Sequence, residues 1–190
     1  MRGEKRNAEA TRAAILDAAR AAFTRHGFDG VGLREIASAA GANVALVNRY
    51  FGSKQGLFRE AVTTAITMTS LFPANREEFC QRLIMQTLHD WPAERVRFDP
   101  TRAMLRSSGN EQAEELIKEG IDVHLIEPLA NWFGDKDRQT RAGLVIALIA
   151  GIAILRDVLD VDALSQDDAR LEDLFGKLLN VIIDDPMPTA

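Results

Sequence analysis

The chain has 190 residues, of which 46% are hydrophobic and 27% charged, a balance typical of a soluble protein with one compact domain or two. Its single cysteine, Cys80, excludes an internal disulfide, and its longest apolar run, residues 142–155, is shorter than the roughly 20 residues that cross a bilayer. The net charge of -5 divides unevenly: residues 1–60 carry ten Lys or Arg and six Asp or Glu, so a basic part that suits phosphate precedes an acidic body.

Helical spacing of apolar residues recurs along the chain, and no stretch shows sustained strand alternation. The pattern therefore predicts an all-α fold of about nine helices. The first four are predicted over residues 8–26, 33–40, 44–51 and 54–72. Gly27 can end the first helix, and Asn43 and Ser53 are favourable N-caps for the third and fourth.

Five further helices are predicted to begin near residues 75, 99, 110, 135 and 165. Asn75 and the Asp99-Pro100 pair are strong start signals. Pro128 should kink the seventh helix, and Gly134 should end it. The last six residues, 185–190, read as a disordered tail.

Residues 33–51 are the most informative stretch for function. Two short helices flank Gly41-Ala42-Asn43, a spacing that fits a helix-turn-helix whose second helix enters the DNA major groove. Small residues at 37, 40 and 45 would let the two helices cross closely. Short helix pairs of this kind also occur in all-α proteins that do not bind DNA, so the pattern alone leaves the function open.

The residues themselves narrow the choice. The segment FTRHGFDGVGLREIASAAGANVALVNRYFGSKQGLF, residues 23–58, resembles the DNA-binding domain of the TetR/AcrR family of bacterial regulators. The matching features are FTRHGF, REIASAAG and YFGSKQGLF at fixed spacing, and a weaker likeness continues through residues 99–116 and 142–159. The resemblance implies a helix-turn-helix DNA-binding domain over 1–53 and a larger helical ligand-binding and dimerisation domain over 54–184.

The resemblance also implies which residues touch double-stranded DNA. Asn48 would pair with an adenine edge, Arg49 with a guanine or a phosphate, and Tyr50 with a phosphate. The implied DNA-binding set is Arg34, Asn43, Val44, Ala45, Asn48, Arg49, Tyr50 and Lys54.

Three positions depart from the family pattern. Gly32 stands where the family usually has a threonine whose hydroxyl caps the second helix and touches DNA. Leu46 and Asn48 stand where a small residue and a tyrosine are more usual. These departures concern which operator is read and how tightly, and they leave the fold in place.

The body is implied to form a ligand pocket and a dimer interface. The implied pocket residues are Met68, Phe72, Phe79, Leu83, Met104, Leu105 and Trp132. They would suit a small apolar or aromatic effector of unknown identity. The implied dimer-interface residues are Ala147, Ile154, Leu174 and Leu178.

Together these expectations describe a homodimeric, ligand-responsive repressor released from a near-palindromic operator by its effector. The charged N-terminus lacks an apolar secretory segment, so we expect a cytoplasmic protein with no membrane partner. The three histidines are far apart in sequence, and no metal motif, cofactor motif or set of nucleophile and base is present, so we expect no metal site, no cofactor and no enzyme. An activator, a small-molecule binder with a vestigial DNA head, and an all-α enzyme remain the alternatives.

Overall fold

The computed structural model describes residues 2–63, 75–89, 99–134, 136–164 and 169–184. Its α-helices are α1 (Arg2–His26), α2 (Leu33–Ala39), α3 (Val44–Phe51), α4 (Lys54–Thr63), α5 (Arg76–Ile84), α6 (Pro100–Ser107), α7 (Glu111–Ile121), α8 (Glu127–Phe133), α9 (Arg138–Ile152) and α10 (Ala169–Asp184). A π-helical turn over Asp122–Ile126 joins α7 and α8, and similar turns, Met85–His89 and Ala153–Val158, extend α5 and α9. Because α7 and α8 are continuous through this turn, the described residues form nine separate helices, with a short 3-10 turn at Asp162–Leu164 and no strand. This confirms the all-α prediction.

Most predicted helix ends coincide with the observed ones because their signals are local. The Asp99 carboxylate accepts a hydrogen bond from the N–H of Arg102 at 2.9 Å, and Gly134 ends α8 with a φ of 74°. The start of α1 was predicted wrongly: the helix begins at Arg2 rather than after residue 7, since the Arg, Glu and Lys residues there are strong helix formers. Asp135 and residues 165–168, where two further helices were predicted to start, lie outside the described residues. The first of these helices, α9, begins at Arg138 in the structure.

The chain divides into two compact units. Unit 1 comprises Met1–Ile66 and Glu94–Gly120, and unit 2 comprises Thr67–Ala93 and Ile121–Ala190. Helix α4 packs in unit 1 because Leu57 and Phe58 are fully buried in its core. The predicted functional division after residue 53 stays a prediction, and the predicted tail at 185–190 lies outside the described residues.

Three aromatic rings form the centre of unit 1. The ring of Phe58 on α4 meets Phe23 of α1 edge-on at 5.0 Å and Phe28 of the α1–α2 loop at 5.1 Å between centroids. The hydroxyl of Ser107 accepts a hydrogen bond from the N–H of Phe28 at 2.9 Å and donates one to the carbonyl of Ala103 at 2.6 Å. These contacts fix the loop that leads into the helix-turn-helix.

The core of unit 2 combines apolar side chains with two buried arginines. Its buried apolar residues include Phe79, Leu129, Phe133, Phe175 and Leu179. Cys80 is buried in the same core, as expected for a small apolar residue. Within the described ranges, no helix combines the length and the apolar character that spanning a lipid bilayer requires.

The two arginines that flank the apolar run in the sequence are buried rather than exposed. The Arg141 guanidinium donates hydrogen bonds to the carbonyls of Ile182 and Ile183 at the end of α10 and lies 4.4 Å from the Phe133 ring centroid. Arg156 pairs with Asp157 at 2.7 Å and donates to the Thr87 carbonyl at 2.6 Å. Each arginine therefore satisfies carbonyl groups that a helix end leaves without an intrahelical partner.

Candidate nucleic-acid interface

Helices α2 and α3 form the predicted helix-turn-helix. Gly41 has a φ of +64° in the turn between them, a conformation that glycine adopts without strain. The Asn43 carboxamide oxygen caps α3 by accepting a hydrogen bond from the N–H of Leu46 at 2.9 Å. Val47 and Phe51 are the buried side chains of α3, so one side of this helix rests on the core of unit 1.

The opposite side of α3 is accessible to a partner. Ala45, Asn48 and Arg49 are exposed, whereas Val44 and Tyr50 are half-buried. The amide of Asn48 and the guanidinium of Arg49 on this side offer groups that can read base edges and phosphates, whereas Tyr50 packs partly against the core of unit 1. The structure therefore places the predicted recognition residues on one short, solvent-facing helix.

The remaining predicted DNA contacts surround this face. Arg34 is exposed in the first turn of α2, and Asn43 is exposed while its carboxamide oxygen serves as the α3 cap. The Lys54 ammonium at the start of α4 lies 4.5 Å from the centroid of the Phe28 ring, a cation–π contact. The family resemblance implied a DNA contact for Lys54 and gave no indication of this aromatic contact.

Helix α2 begins after Gly32, the position at which the family usually has a capping threonine. Gly32 occupies the N-cap position in an extended conformation and has no side chain to accept a hydrogen bond. Its own N–H donates to the Glu35 carboxylate at 2.7 Å, so half of a capping box is present. The other half is missing, because Gly32 has no side chain that could accept a hydrogen bond from the N–H of Glu35.

One residue near α3 escaped the sequence reasoning. The Arg12 guanidinium on α1 lies 4.9 Å from the centroid of the Phe51 ring, and its Nη2 atom is 2.5 Å from a carboxylate oxygen of Glu60 on α4. Its partners follow 39 and 48 positions later in the chain, so no local pattern could have indicated the contact.

The predicted pocket residues divide between the two units. In unit 2, Phe79 and Leu83 are buried, and the half-buried ring of Trp132 lies 4.5 Å from that of Phe79 between centroids. In unit 1, Met104 is half-buried and Leu105 is exposed. The remaining two predicted pocket residues, Met68 and Phe72, lie outside the described residues.

An open groove is present elsewhere in unit 2. It has a volume of about 550 Å³ and is lined by Arg76, Glu77, Cys80, Gln81, Ile84 and Asn180. Its walls come from α5 and α10, and none of the predicted pocket residues lines it. Across the described ranges, no three His, Cys, Asp or Glu side chains are grouped closely enough to hold a metal ion.

The last two long helices carry exposed apolar side chains. Of the predicted dimer residues, Ala147, Leu174 and Leu178 are exposed and Ile154 is half-buried. Leu144 and Val181, which were not among the four implied interface residues, are 52% and 64% exposed. Helical periodicity indicated that both helices are apolar but not which side faces the core of their own unit.

Comparisons with known proteins agree with this architecture. The family model described as "Bacterial regulatory proteins, tetR family" matches residues 15–61, and the model described as "Tetracyclin repressor-like, C-terminal domain" matches residues 77–183. The fold is similar to that of NalD, the secondary repressor of the MexAB-OprM multidrug efflux pump in Pseudomonas aeruginosa, with a TM-score of 0.70 and 22% identity over 95% of this chain and 100% of that chain.

Two curated proteins match a shorter stretch. The chain is 62% identical over 45 residues to the HTH-type transcriptional regulatory protein RaaS of Mycobacterium tuberculosis, which covers 24% of this chain and 21% of that protein. It is 47% identical over 53 residues to the HTH-type transcriptional repressor SCO4008 of Streptomyces coelicolor, which covers 28% of each. The matched stretches thus span a quarter or so of these relatives. Because the C-terminal family model alone matches more than half of the chain, the protein belongs to the TetR family of bacterial transcriptional regulators.

Proposed function

We propose that the protein is a homodimeric, ligand-responsive repressor of the bacterial cytoplasm, released from a near-palindromic operator by a small apolar or aromatic effector. The observation that supports this proposal most directly is the exposed face of α3. Ala45, Asn48 and Arg49 lie there, opposite the buried Val47 and Phe51. A short helix anchored on one side and polar on the other is suited to the major groove.

Within this proposal the DNA contacts fall into two groups. Asn48 and Arg49 read base edges, with Val44 and Ala45 supplying apolar contact at the start of the helix. Arg34, Asn43, Tyr50 and Lys54 contact the phosphate backbone and set the register. Lys54 would exchange its cation–π contact with Phe28, worth about 0.5–1 kcal/mol at a partly exposed site, for a phosphate.

Selection of binding sites from a random duplex library tests the DNA-binding part. We expect an inverted repeat to be enriched, and the selected duplex to bind far more tightly than a scrambled one at physiological salt. The affinity for the scrambled duplex should fall steeply with salt because phosphate contacts release counterions. Failure to enrich any sequence would instead support a small-molecule binder with a vestigial head.

Dimerisation through α9 and α10 is the second part of the proposal. Ala147, Ile154, Leu174 and Leu178 would lie in the interface, since exposed leucines on two long helices favour association. Twofold symmetry would then place two recognition helices about 34–36 Å apart, one turn of DNA. Sedimentation of the purified protein at micromolar concentration should give a dimer, and a stable monomer would refute this part.

The effector response is the third part. Of the predicted pocket residues, Phe79, Leu83 and Trp132 lie in unit 2 and would give the pocket an aromatic and aliphatic lining. The remaining predicted pocket residues are Met68, Phe72, Met104 and Leu105. Small aromatic compounds should change the tryptophan fluorescence of the protein on binding and weaken its affinity for the selected operator, since an effector must prefer the state that does not bind DNA. Saturation without any change in operator affinity would refute the response. A reporter gene placed behind the operator distinguishes repression from activation.

A further inference from the structure

Arg12 touches the recognition helix although it belongs to a different part of the helix-turn-helix domain. Its guanidinium lies 4.9 Å from the ring centroid of Phe51, the last residue of α3. The same guanidinium lies 2.5 Å from the carboxylate of Glu60 on α4. One side chain on α1 therefore contacts the last residue of α3 and a carboxylate within α4.

Apolar side chains hold the recognition helix on the core of unit 1. Val47 and Phe51 are its buried residues, and three further apolar side chains of the helix pack partly buried against the same core. The Asn43 cap holds the first turn, and the Phe51 ring holds the last one. Because Phe51 is 8% exposed and lies in the last turn, we expect the cation on its ring to affect how that turn is held.

The chemistry of the contact suits arginine. A planar guanidinium stacks on an aromatic face while its N–H groups bind a carboxylate, a combination that lysine reproduces only in part. A positive charge beside the last turn of a helix is also favourable because the helix C-terminus carries partial negative charge. Glu60 restricts the guanidinium to the position over Phe51.

We infer that Arg12 is a positioning residue of the recognition helix: held by Glu60, it fixes the orientation in which α3 presents Asn48 and Arg49 to the bases. This inference rests on the proposed function. Base contacts depend on hydrogen-bond geometry in the groove, whereas phosphate contacts tolerate small displacements. Loss of Arg12 should therefore weaken the reading of sequence more than the attraction to DNA in general.

The test compares Arg12→Met with Arg59→Met on the selected operator and on a scrambled duplex. Arg59→Met is a matched control in unit 1, because it removes the same charge and also breaks an ion pair, the one between Arg59 and Glu119 of α7 at 3.1 Å. We expect Arg12→Met to lower operator affinity roughly tenfold, from the loss of an ion pair and a cation–π contact, with a much smaller change on the scrambled duplex. Arg12→Lys should recover part of the loss, and Glu60→Gln should add little to Arg12→Met because both act through one contact.

Two results would overturn the inference. Equal losses on both duplexes, with a salt slope shallower by about 0.9, would make Arg12 a phosphate contact instead. Unchanged operator affinity in a folded Arg12→Met protein would remove any role. Amide hydrogen exchange without DNA separates this inference from the proposed function: residues 48–52 should exchange faster in Arg12→Met than in Arg59→Met, and equal rates in the two variants would refute the positioning role even if no operator is found.

Discussion

Replacing Gly27 by alanine should destabilise unit 1 much more than replacing Gly41 by alanine, although both glycines have a left-handed φ, +67° and +64°. The left-handed conformation alone disfavours alanine by about 1–2 kcal/mol at either position. A Cβ at Gly41 would meet no atom within 4 Å. A Cβ at Gly27 would lie 2.3 Å from the carbonyl oxygen of Arg106, which belongs to the backbone and cannot rotate away.

The clash at Gly27 therefore adds a packing penalty that Gly41→Ala lacks. Overfilling a packed site typically adds about 1–3 kcal/mol, so we expect the free energy of unfolding to fall by roughly 2–5 kcal/mol in Gly27→Ala. Urea titration at equal protomer concentration measures the difference, and hydrogen exchange of the α1 amides assigns it to unit 1. Equal losses in the two variants would refute the close packing of α6 on the end of α1.

Three other changes test the cap, the reading face and the dimer face. Gly32→Thr should stabilise the protein by a few tenths of a kcal/mol up to about 1 kcal/mol in thermal unfolding, because the nearest atom to the new Cβ is 3.5 Å away and a hydroxyl can cap α2; a destabilised variant would contradict this reading of the helix start. Asn48→Ala should weaken operator binding by about 1–3 kcal/mol in a shift assay and leave the salt slope unchanged, since an amide that reads a base displaces no counterion; a shallower slope would assign Asn48 to a phosphate. Leu178→Glu should raise the dimer dissociation constant roughly thirtyfold in sedimentation, because it places a charge on an apolar face where the leucine is 52% exposed in the single chain; its control, Asn180→Glu, adds the same charge on the groove side of α10, and similar behaviour of the two would move the interface elsewhere.

Interactions between near neighbours in the chain made much of the fold predictable. The span of α3, residues 44–51, was predicted correctly because Asn43 caps its first turn and Gly52 follows its last residue. The Asp99-Pro100 start of α6 depends in the same way on an acceptor and a donor three residues apart. The motifs of residues 23–58 also indicated the TetR family, which the family models confirm.

Contacts between distant residues were beyond such reasoning. The family resemblance implied a DNA contact for Lys54, and the structure adds a cation–π contact of its ammonium with the ring of Phe28, 26 positions away. Leu105, predicted as a pocket residue, is 42% exposed in unit 1. In the sequence Arg141 directly precedes an apolar run, which suggests an exposed charge. In the structure it is buried, and its guanidinium donates hydrogen bonds to carbonyl groups at the end of α10.

By itself, the sequence determined the helical class, the helix-turn-helix and the side chains available on α3, because periodicity, caps and turn glycines act over three or four residues. Only the tertiary structure decided which cation covers Phe51, which loop rests on Ser107 and which leucines of α9 and α10 stay exposed. Those outcomes depend on helices from distant parts of the chain meeting in one core. The packing of these helices determines which of several chemically similar side chains makes each contact, and local sequence patterns carry no information about that packing.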